Sequence, residues 1–353
     1  MPRKTNKGGR KMKLTKRGIV FLATICFITL GLSGATMAQQ KKVVELTYGT
    51  PYGADAALSV IDKRWMDKVE KEANGLVKFK PYWGGSIIGG RDVAEQVTQG
   101  AIDIALINPT ASKSGFPITK ASMLFFYGTT QEIGGKVFKE LRVKFPEIEK
   151  EYKGMKVLCW AGDTSQLITR KPVRRIADLK GIRIKVSGDI SEVLKQLGVE
   201  GLSVAASEVY VAMQKGILDG AIVPYFGLDD LKLTDVAKYV TVINLYRTHT
   251  GMRVMNLEKY NSLSPDIKRV LENNIEYYAQ ANDAEYDIVN KRAIDGAKKS
   301  GIEFIPLSNE ELAKFYAPFK PIALKEAQDL DAKGLPGTKI LNETRRLIDL
   351  YTK

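Results

Sequence analysis

The sequence predicts an α/β protein of two lobes, and three observations support this fold class. A helix pattern, a glycine, two apolar residues, an aspartate and an apolar strand occur twice, at 91–107 and 207–223. Strand and helix patterns alternate from residue 42 to residue 107, as in lobes with a largely parallel sheet. A helix pattern over 265–299 is too long for one small lobe.

Ligands of open α/β sheets bind beyond the carboxyl ends of the strands, so two such units predict one cleft shared by two lobes. Helix, glycine and strand follow one another in many α/β proteins, so the repeat alone does not decide the number of lobes. Gly100 and Gly216 stand where each repeat helix ends, a position that favours the left-handed conformation of glycine.

Apolar spacing places the remaining elements. Strands are predicted at 42–48, 76–83, 102–107, 156–161, 167–170, 182–186 and 217–223. Helices are predicted at 56–73, 135–145 and 190–197, and the stretch 108–120 is read as a polar loop punctuated by prolines. The tail 310–353 is predicted to be helical, with breaks at Pro318, Pro321 and 334–337.

The long helix has a clear start signal. Ser264 is placed as the N-cap, Pro265 at the first helical position and Asp266 in the first turn, and Gly301 follows the last residue, Lys299. We interpret it as a strut that braces both lobes. The alternative is two helices broken near Asn282 and Asp283.

The first 38 residues have the order of a secretory leader. Eight of the cations that give the formal charge of +14 fall here without an acid, which leaves +6 for the rest. An apolar run and small residues ending at Ala38 follow, so residues 1–38 are predicted to be a signal peptide cleaved after Ala38. An uncleaved anchor, cleavage after Ala35 and a start at Met12 are the alternatives. The remaining charge gives no basic stripe of the kind a nucleic-acid-binding protein carries, so no nucleic-acid partner is predicted.

Catalytic, metal and cofactor motifs are missing from the sequence. His249 is the only histidine, which excludes a histidine cluster for a metal, and Cys159 lies in an apolar strand pattern typical of a core residue. The sequence contains no G-x-S-x-G, H-E-x-x-H, paired C-x-x-C or Walker motif, and no G-x-G-x-x-G after a strand. No metal and no cofactor are therefore predicted and no enzyme is indicated, although missing motifs do not disprove one.

The motifs together resemble a known family. The runs 176–186 (Ile-Ala-Asp-Leu-Lys-Gly-Ile-Arg-Ile-Lys-Val) and 207–220 (Ser-Glu-Val-Tyr-Val-Ala-Met-Gln-Lys-Gly-Ile-Leu-Asp-Gly) are similar to those of TRAP transporter solute-binding proteins of the DctP type. The resemblance covers nearly all of the chain after the leader. It implies no catalysis and a two-lobe fold like that of periplasmic binding proteins, with hinge strands and one long helix spanning both lobes. Lobe I is expected at 41–168 plus 250–290, and lobe II at 169–249 plus 291–353.

The resemblance also implies where the ligand binds. Members of the family have an arginine in the strand after D-L-K-G, and this arginine forms a bidentate pair with the ligand carboxylate. This sequence has Lys185 at that position. The ligand is then a carboxylate held by Lys185 with help from Arg170 or Lys171, or a compound other than a simple acid. Val223 replaces a polar family position and predicts a less polar pocket beside Tyr225, while Asn108, Trp83 and Thr50 lie at strand ends of the first lobe.

The expected function is a periplasmic solute-binding protein of a TRAP transporter. It would capture a small organic anion between its lobes and deliver it to the membrane permease. The alternatives are a sensory binding protein that delivers its ligand to a receptor, and a periplasmic hydrolase or isomerase on a similar frame.

Overall fold

The structure is a computed structural model that describes residues 43–89, 91–186, 190–202, 204, 208–248 and 251–353. The predicted leader and His249 lie outside the described residues.

The described part of the chain alternates strands and helices, mostly where the apolar spacing predicts them. The strands are β1 Val44–Gly49, β2 Val77–Tyr82, β3 Ile104–Ile107, β4 Met155–Cys159, β5 Asp163–Thr169, β6 Arg183–Lys185, β7 Glu200–Leu202, β8 Gly220–Pro224, β9 Tyr239–Arg247, β10 Met252–Asn256 and β11 Glu303–Pro306. The helices are α1 Ala57–Glu72, α2 Val93–Thr98, α3 Pro117–Phe125, α4 Gln131–Lys144, α5 Pro146–Lys150, α6 Ser191–Gln196, α7 Val209–Gln214, α8 Gly227–Asp230, α9 Leu257–Ser262, α10 Pro265–Asn273, α11 Ile275–Lys299, α12 Asn309–Tyr316, α13 Phe319–Asp331 and α14 Gly337–Thr352.

The strands form two sheets. The first has the order β2-β1-β3-β10-β4, and the second has the order β11-β9-β5-β8-β6-β7. In each sheet one strand runs against its neighbours on both sides, namely β10 in the first sheet and β5 in the second. The two-lobe α/β prediction is confirmed, with sheets that are mixed and not wholly parallel.

The repeat builds one unit in each sheet. Helix α2 is followed by Gly100 and β3, and helix α7 by Gly216 and β8. The two glycines have φ values of 75° and 71°, in the left-handed region that the sequence predicts for them. Their amides donate to equivalent carbonyls, those of Val97 and Met213, each at 3.0 Å.

The predicted single long helix is wrong, and so is the predicted site of its break. The helix ends after Asn273 and restarts at Ile275 as α11, so the break falls at Asn274. The Asn274 side chain is fully buried, and its amide donates to Glu72 Oε2 (2.6 Å) and to the Val270 carbonyl (2.8 Å). The predicted start is confirmed: the Ser264 hydroxyl accepts a hydrogen bond from the Ile267 amide at 3.4 Å.

Helix α11 still reaches both sheets. Its Tyr278, Tyr286 and Val289 pack in the core of the first sheet, and Ala293 and Ala297 pack in a core of the second. No helix of the described residues is both long and apolar enough to cross a membrane.

Two stretches pack differently from the predicted division between the lobes. Strand β5 belongs to the second sheet, although most of it precedes residue 169. Helices α3 and α4, from the middle of the predicted lobe I, pack against the second sheet together with α13 and α14. The reason is an apolar face: Phe125, Phe126 and Val137 are buried among residues of the second sheet.

Two details of the loop and tail predictions are also corrected. Pro117 starts helix α3, where a loop was predicted, because proline suits the first helical position. Pro321 is the third residue of α13 and does not break it, because the N–H groups of the first turn have no acceptor within the helix. The breaks around Pro318 and 334–336 are confirmed.

Candidate functional site

The two sheets are joined by two chain crossings. One runs from β4 to β5 through 160–162, and the other runs from β9 to β10 through 248–251. The first crossing leaves the carboxyl end of β4, which is parallel to β1 and β3, and enters β5 beside the carboxyl end of β8. The second leaves the carboxyl end of β9 and enters β10 beside the carboxyl end of β3. The carboxyl-end edges therefore border one cleft, where open α/β sheets bind ligands.

The aspartates of the repeat lie at the other edges and have a structural role. Asp103 Oδ2 accepts from the Thr47 amide and hydroxyl, both at 2.8 Å. Asp219 accepts in the same way from the Arg183 amide at 3.0 Å. Its two carboxylate oxygens also accept from Nε and Nη2 of the Arg183 guanidinium, both at 3.0 Å. Burial raises the pKa of Asp219, but these hydrogen bonds from Arg183 outweigh it and leave the pKa lowered. The repeated aspartate thus ties neighbouring strands together away from the cleft.

Lys185 lies at the cleft edge of the second sheet. It is the last residue of β6, it is half-buried, and it pairs with Ala221 of β8 and Leu202 of β7. The ammonium group is a compact point charge with three donors, and it lacks the planar fork with which arginine pairs both oxygens of a carboxylate.

Val223 and Tyr225 lie on the neighbouring strand end. Val223 is the penultimate residue of β8, and its side chain is buried in an apolar cluster with Ile168 and Leu228. Tyr225 follows β8, is half-buried, and its ring centroid is 6.2 Å from that of Phe304. Burial raises the pKa of the Tyr225 hydroxyl, which therefore stays protonated at neutral pH.

Thr50, Trp83 and Asn108 follow β1, β2 and β3 of the first sheet. Thr50 is fully buried, and its hydroxyl accepts from the Tyr52 amide at 3.3 Å, so it shapes the loop. Asn108 is half-buried and accepts from the Thr110 amide (3.2 Å) and hydroxyl (2.7 Å) through Oδ1, which starts the turn Pro109–Ala111. Trp83 is half-buried, with its ring centroid 5.8 Å from that of Tyr48.

Arg170 is separated from the other predicted residues. It follows the carboxyl end of β5, but β5 runs against β8, so Thr169 pairs with Gly220 at the start of β8. The Arg170 amide donates to the Asp219 carbonyl at 2.9 Å, at the edge away from the cleft. The sequence prediction failed here because strand order in the chain does not give strand direction.

The sequence analysis missed three polar residues beside the crossings. Asp163 and Arg247 are opposite each other in register and both are buried. Tyr52 follows β1 in the first lobe, and burial and Asp163 raise its pKa to about 12. The sequence offered one signal for Arg247: this cation stands two positions before His249, the only histidine.

Among the described residues there is no group of histidine, cysteine, aspartate and glutamate side chains that could hold a metal ion. The predicted residues that lie at the cleft edges are one lysine, two polar side chains, two half-buried rings and Val223, and Asp163, Arg247 and Tyr52 lie beside the crossings. Two sheets, two crossings and a bracing helix of this kind define a hinged ligand-binding protein.

Comparisons with known proteins assign the family. The profile of the DctP family, bacterial extracellular solute-binding protein family 7, matches residues 57–329. The chain therefore belongs to this family, the solute-binding proteins of TRAP transporters. It is 24% identical over 349 residues to the C4-dicarboxylate-binding periplasmic protein DctP of Rhodobacter capsulatus, which covers 92% of this chain and 98% of the relative.

Solved structures agree with this assignment. A TRAP periplasmic solute-binding protein from Desulfovibrio salexigens, in an open complex, is 27% identical and has a TM-score of 0.74, with coverage of 87% of this chain and 96% of that one. A marine metagenome TRAP solute-binding protein specific for aromatic acid ligands, in complex with 3-hydroxybenzoate, is 25% identical with a TM-score of 0.78. The match covers 88% of this chain and all of that one.

Proposed function

We propose that this protein is exported to the periplasm, captures a small organic anion between its two lobes and delivers it to the membrane permease of a TRAP transporter. The observation that carries the proposal is Lys185 at the carboxyl end of β6, across the cleft from the polar strand ends of the first lobe. The named ligands of two relatives, C4-dicarboxylates and 3-hydroxybenzoate, support a carboxylate.

We assign the roles within the site as follows. Lys185 pairs with the carboxylate, and Asn108 offers an amide from the first lobe. Trp83 and Tyr225 line the cleft, Val223 supports the wall behind Tyr225, and Thr50 shapes the loop that precedes Tyr52. Arg170 is left out because it lies at the far edge of the second sheet. Closure of the lobes would be stabilised by contacts that the ligand makes with both of them.

We also propose that the ligand leaves chemically unchanged. Among the described residues no group of side chains could hold a metal ion, and the sequence contains no G-x-S-x-G, H-E-x-x-H or Walker motif, which supports binding without reaction. Recovery of 3-hydroxybenzoate intact after prolonged incubation with the protein is the expected result, and conversion to a product would contradict it.

A titration of small carboxylates tests the charge assignment. Thermal shift with 3-hydroxybenzoate, benzoate, succinate and galacturonate identifies a ligand, because a compound that binds only the folded state raises the melting point. Calorimetry then compares the wild type with Lys185→Met. Loss of a charge-assisted hydrogen bond of about 1.5–3 kcal/mol predicts affinity lower by roughly 10- to 150-fold.

The matched control is Lys180→Met, which removes an exposed cation just before the same strand, at the edge away from the cleft. It should bind as the wild type does. Equal affinity of Lys185→Met and the wild type would contradict the assignment, and the absence of any responding anion would contradict the proposed ligand class.

A further inference from the structure

A buried ion pair lies close to the cleft in the first lobe. Asp62 of α1 and Arg253 of β10 both have side chains that are 0% exposed, and Arg253 Nε and Nη2 each lie 2.9 Å from Asp62 Oδ1. The hydroxyls of Tyr48 and Tyr278 donate to the same carboxylate. The pair therefore joins two strands and two helices of the lobe.

The guanidinium also reaches the second chain crossing. Arg253 Nη1 donates to the Gly251 carbonyl at 2.7 Å and to Asn282 Oδ1 of α11 at 3.0 Å. Gly251 is the last residue of the crossing, and Asn282 lies in the helix that packs on both sheets. One side chain thus connects the crossing to the bracing helix.

Gly251 lies within ordinary van der Waals distance of the guanidinium and of the first crossing. A Cβ atom on it would lie 3.4 Å from Arg253 Nη1, 3.9 Å from Ala161 Cβ and 3.9 Å from the Tyr286 hydroxyl. Ala161 belongs to the first crossing, so the two crossings pass each other beside the guanidinium. The register of β10 with β4 also shifts between Arg253 and Val254, and such irregularities commonly redirect a side chain.

The buried ion pair is expected to add little to the free energy of unfolding, because both charges lose their hydration when they are buried. Replacing a buried ion pair with apolar residues of similar size is often neutral or stabilising. Here Arg253 Nη2 lies 2.9 Å from Asp62 Oδ1, and the guanidinium carbon lies 5.2 Å from the centroid of the Tyr278 ring. A buried ion pair that adds little to stability can instead be retained because it specifies one conformation.

We propose that Arg253 is a positioning residue of the ligand-binding cleft, which fixes the Gly251 crossing against α11 and so sets the angle between the lobes. The inference rests on the proposed function, because the angle decides how readily the lobes close on a ligand. Arg253 does not contact the ligand in this account.

The test measures the distance between the lobes without ligand. Spin labels are attached at Ile87→Cys, after β2, and Glu208→Cys, before α7, both exposed and both on the cleft side of their lobes. The native Cys159 is fully buried and should remain unlabelled. Pulsed electron paramagnetic resonance gives the distance distribution in the wild type and in the variants.

Two variants separate positioning from folding. Arg253→Lys keeps the charge opposite Asp62 but lacks the fork that reaches Gly251 and Asn282 together. The double variant Asp62→Leu with Arg253→Met removes both charges and keeps an apolar core. Val77→Ala, a core change at the start of β2, where Val77 pairs with Val44 at the edge of the sheet away from the crossings, is the control for general loosening.

Both Arg253 variants should broaden or shift the distance distribution, while Val77→Ala should not. Affinity for 3-hydroxybenzoate should fall about tenfold if the population competent to close falls tenfold. A wild-type distribution in both variants, or the same broadening in Val77→Ala, would overturn the proposal. Failure of the wild type to bind any anion would count against the proposed function alone, because the distances are measured without ligand.

Discussion

Two adjacent glycines in helix α4 provide a sharp test of how this helix packs on the second lobe. A Cβ atom on Gly134 would lie 2.1 Å from Cε1 of Tyr246 in β9, whereas one on Gly135 would meet nothing within 4 Å. Tyr246 is buried and its ring packs against Phe126 at a centroid distance of 5.9 Å, so the ring has little room to move. The two substitutions to alanine should therefore have effects of opposite sign.

The magnitudes follow from the two environments. Gly135→Ala should stabilise the protein by about 0.5–1 kcal/mol, because alanine is the better residue inside a helix. Gly134→Ala should destabilise it by about 1–3 kcal/mol, since a methyl group forced into a packed core displaces its neighbours. Urea unfolding of both variants and the wild type measures the free energies of unfolding.

A second background isolates the clash. With Tyr246→Ala already present, the ring is absent and Gly134→Ala should cost little or nothing, which is a coupling between neighbouring residues. If Gly134→Ala were as stabilising as Gly135→Ala in the wild-type background, the packing of α4 on β9 would be wrong.

Three other predictions concern single groups. Asp219→Asn should cost about 1 kcal/mol at pH 7, after allowance for the partial exposure of Arg183. Because the folded pKa of Asp219 is lowered, its contribution is present above the unfolded pKa and disappears as pH falls through the folded pKa. Urea melts at pH 7 and pH 3 should show the difference from the wild type shrinking in acid, and a constant difference would contradict the assignment. Burial raises the pKa of Cys159 to about 12, so a thiol reagent at pH 8 should label it only in urea, and rapid native labelling would place it at the surface. Gly162→Ala should destabilise the protein by about 1–3 kcal/mol, because its Cβ would lie 2.7 Å from the Arg247 carbonyl oxygen, and Gly53→Ala, with nothing within 4 Å, is the control in the same urea assay.

Local patterns in the sequence predicted most of the elements. Helix α1, strands β1 and β2, and both repeat units lie where apolar spacing places them, because α1 buries one apolar face and β3 and β8 are short apolar runs buried on both faces. The repeat glycines and the Ser264 cap were predictable because their conformations depend on the few residues beside them.

The remainder depends on contacts between distant residues. The break at Asn274 follows from a hydrogen bond to Glu72, 202 positions away in the chain, which local spacing cannot reveal. Arg170 was predicted to help Lys185 hold a carboxylate, but the antiparallel direction of β5 puts it at the opposite edge. The Asp62–Arg253 pair joins α1 to β10 and also had no local signal.

The most direct test of the account is a crystal structure of the protein with the carboxylate that gives the largest thermal shift. The account predicts that the ligand lies between the two sheets, with a carboxylate oxygen about 3 Å from Lys185 Nζ. A ligand bound outside the cleft, or a carboxylate held entirely by other residues with Lys185 turned away, would contradict it.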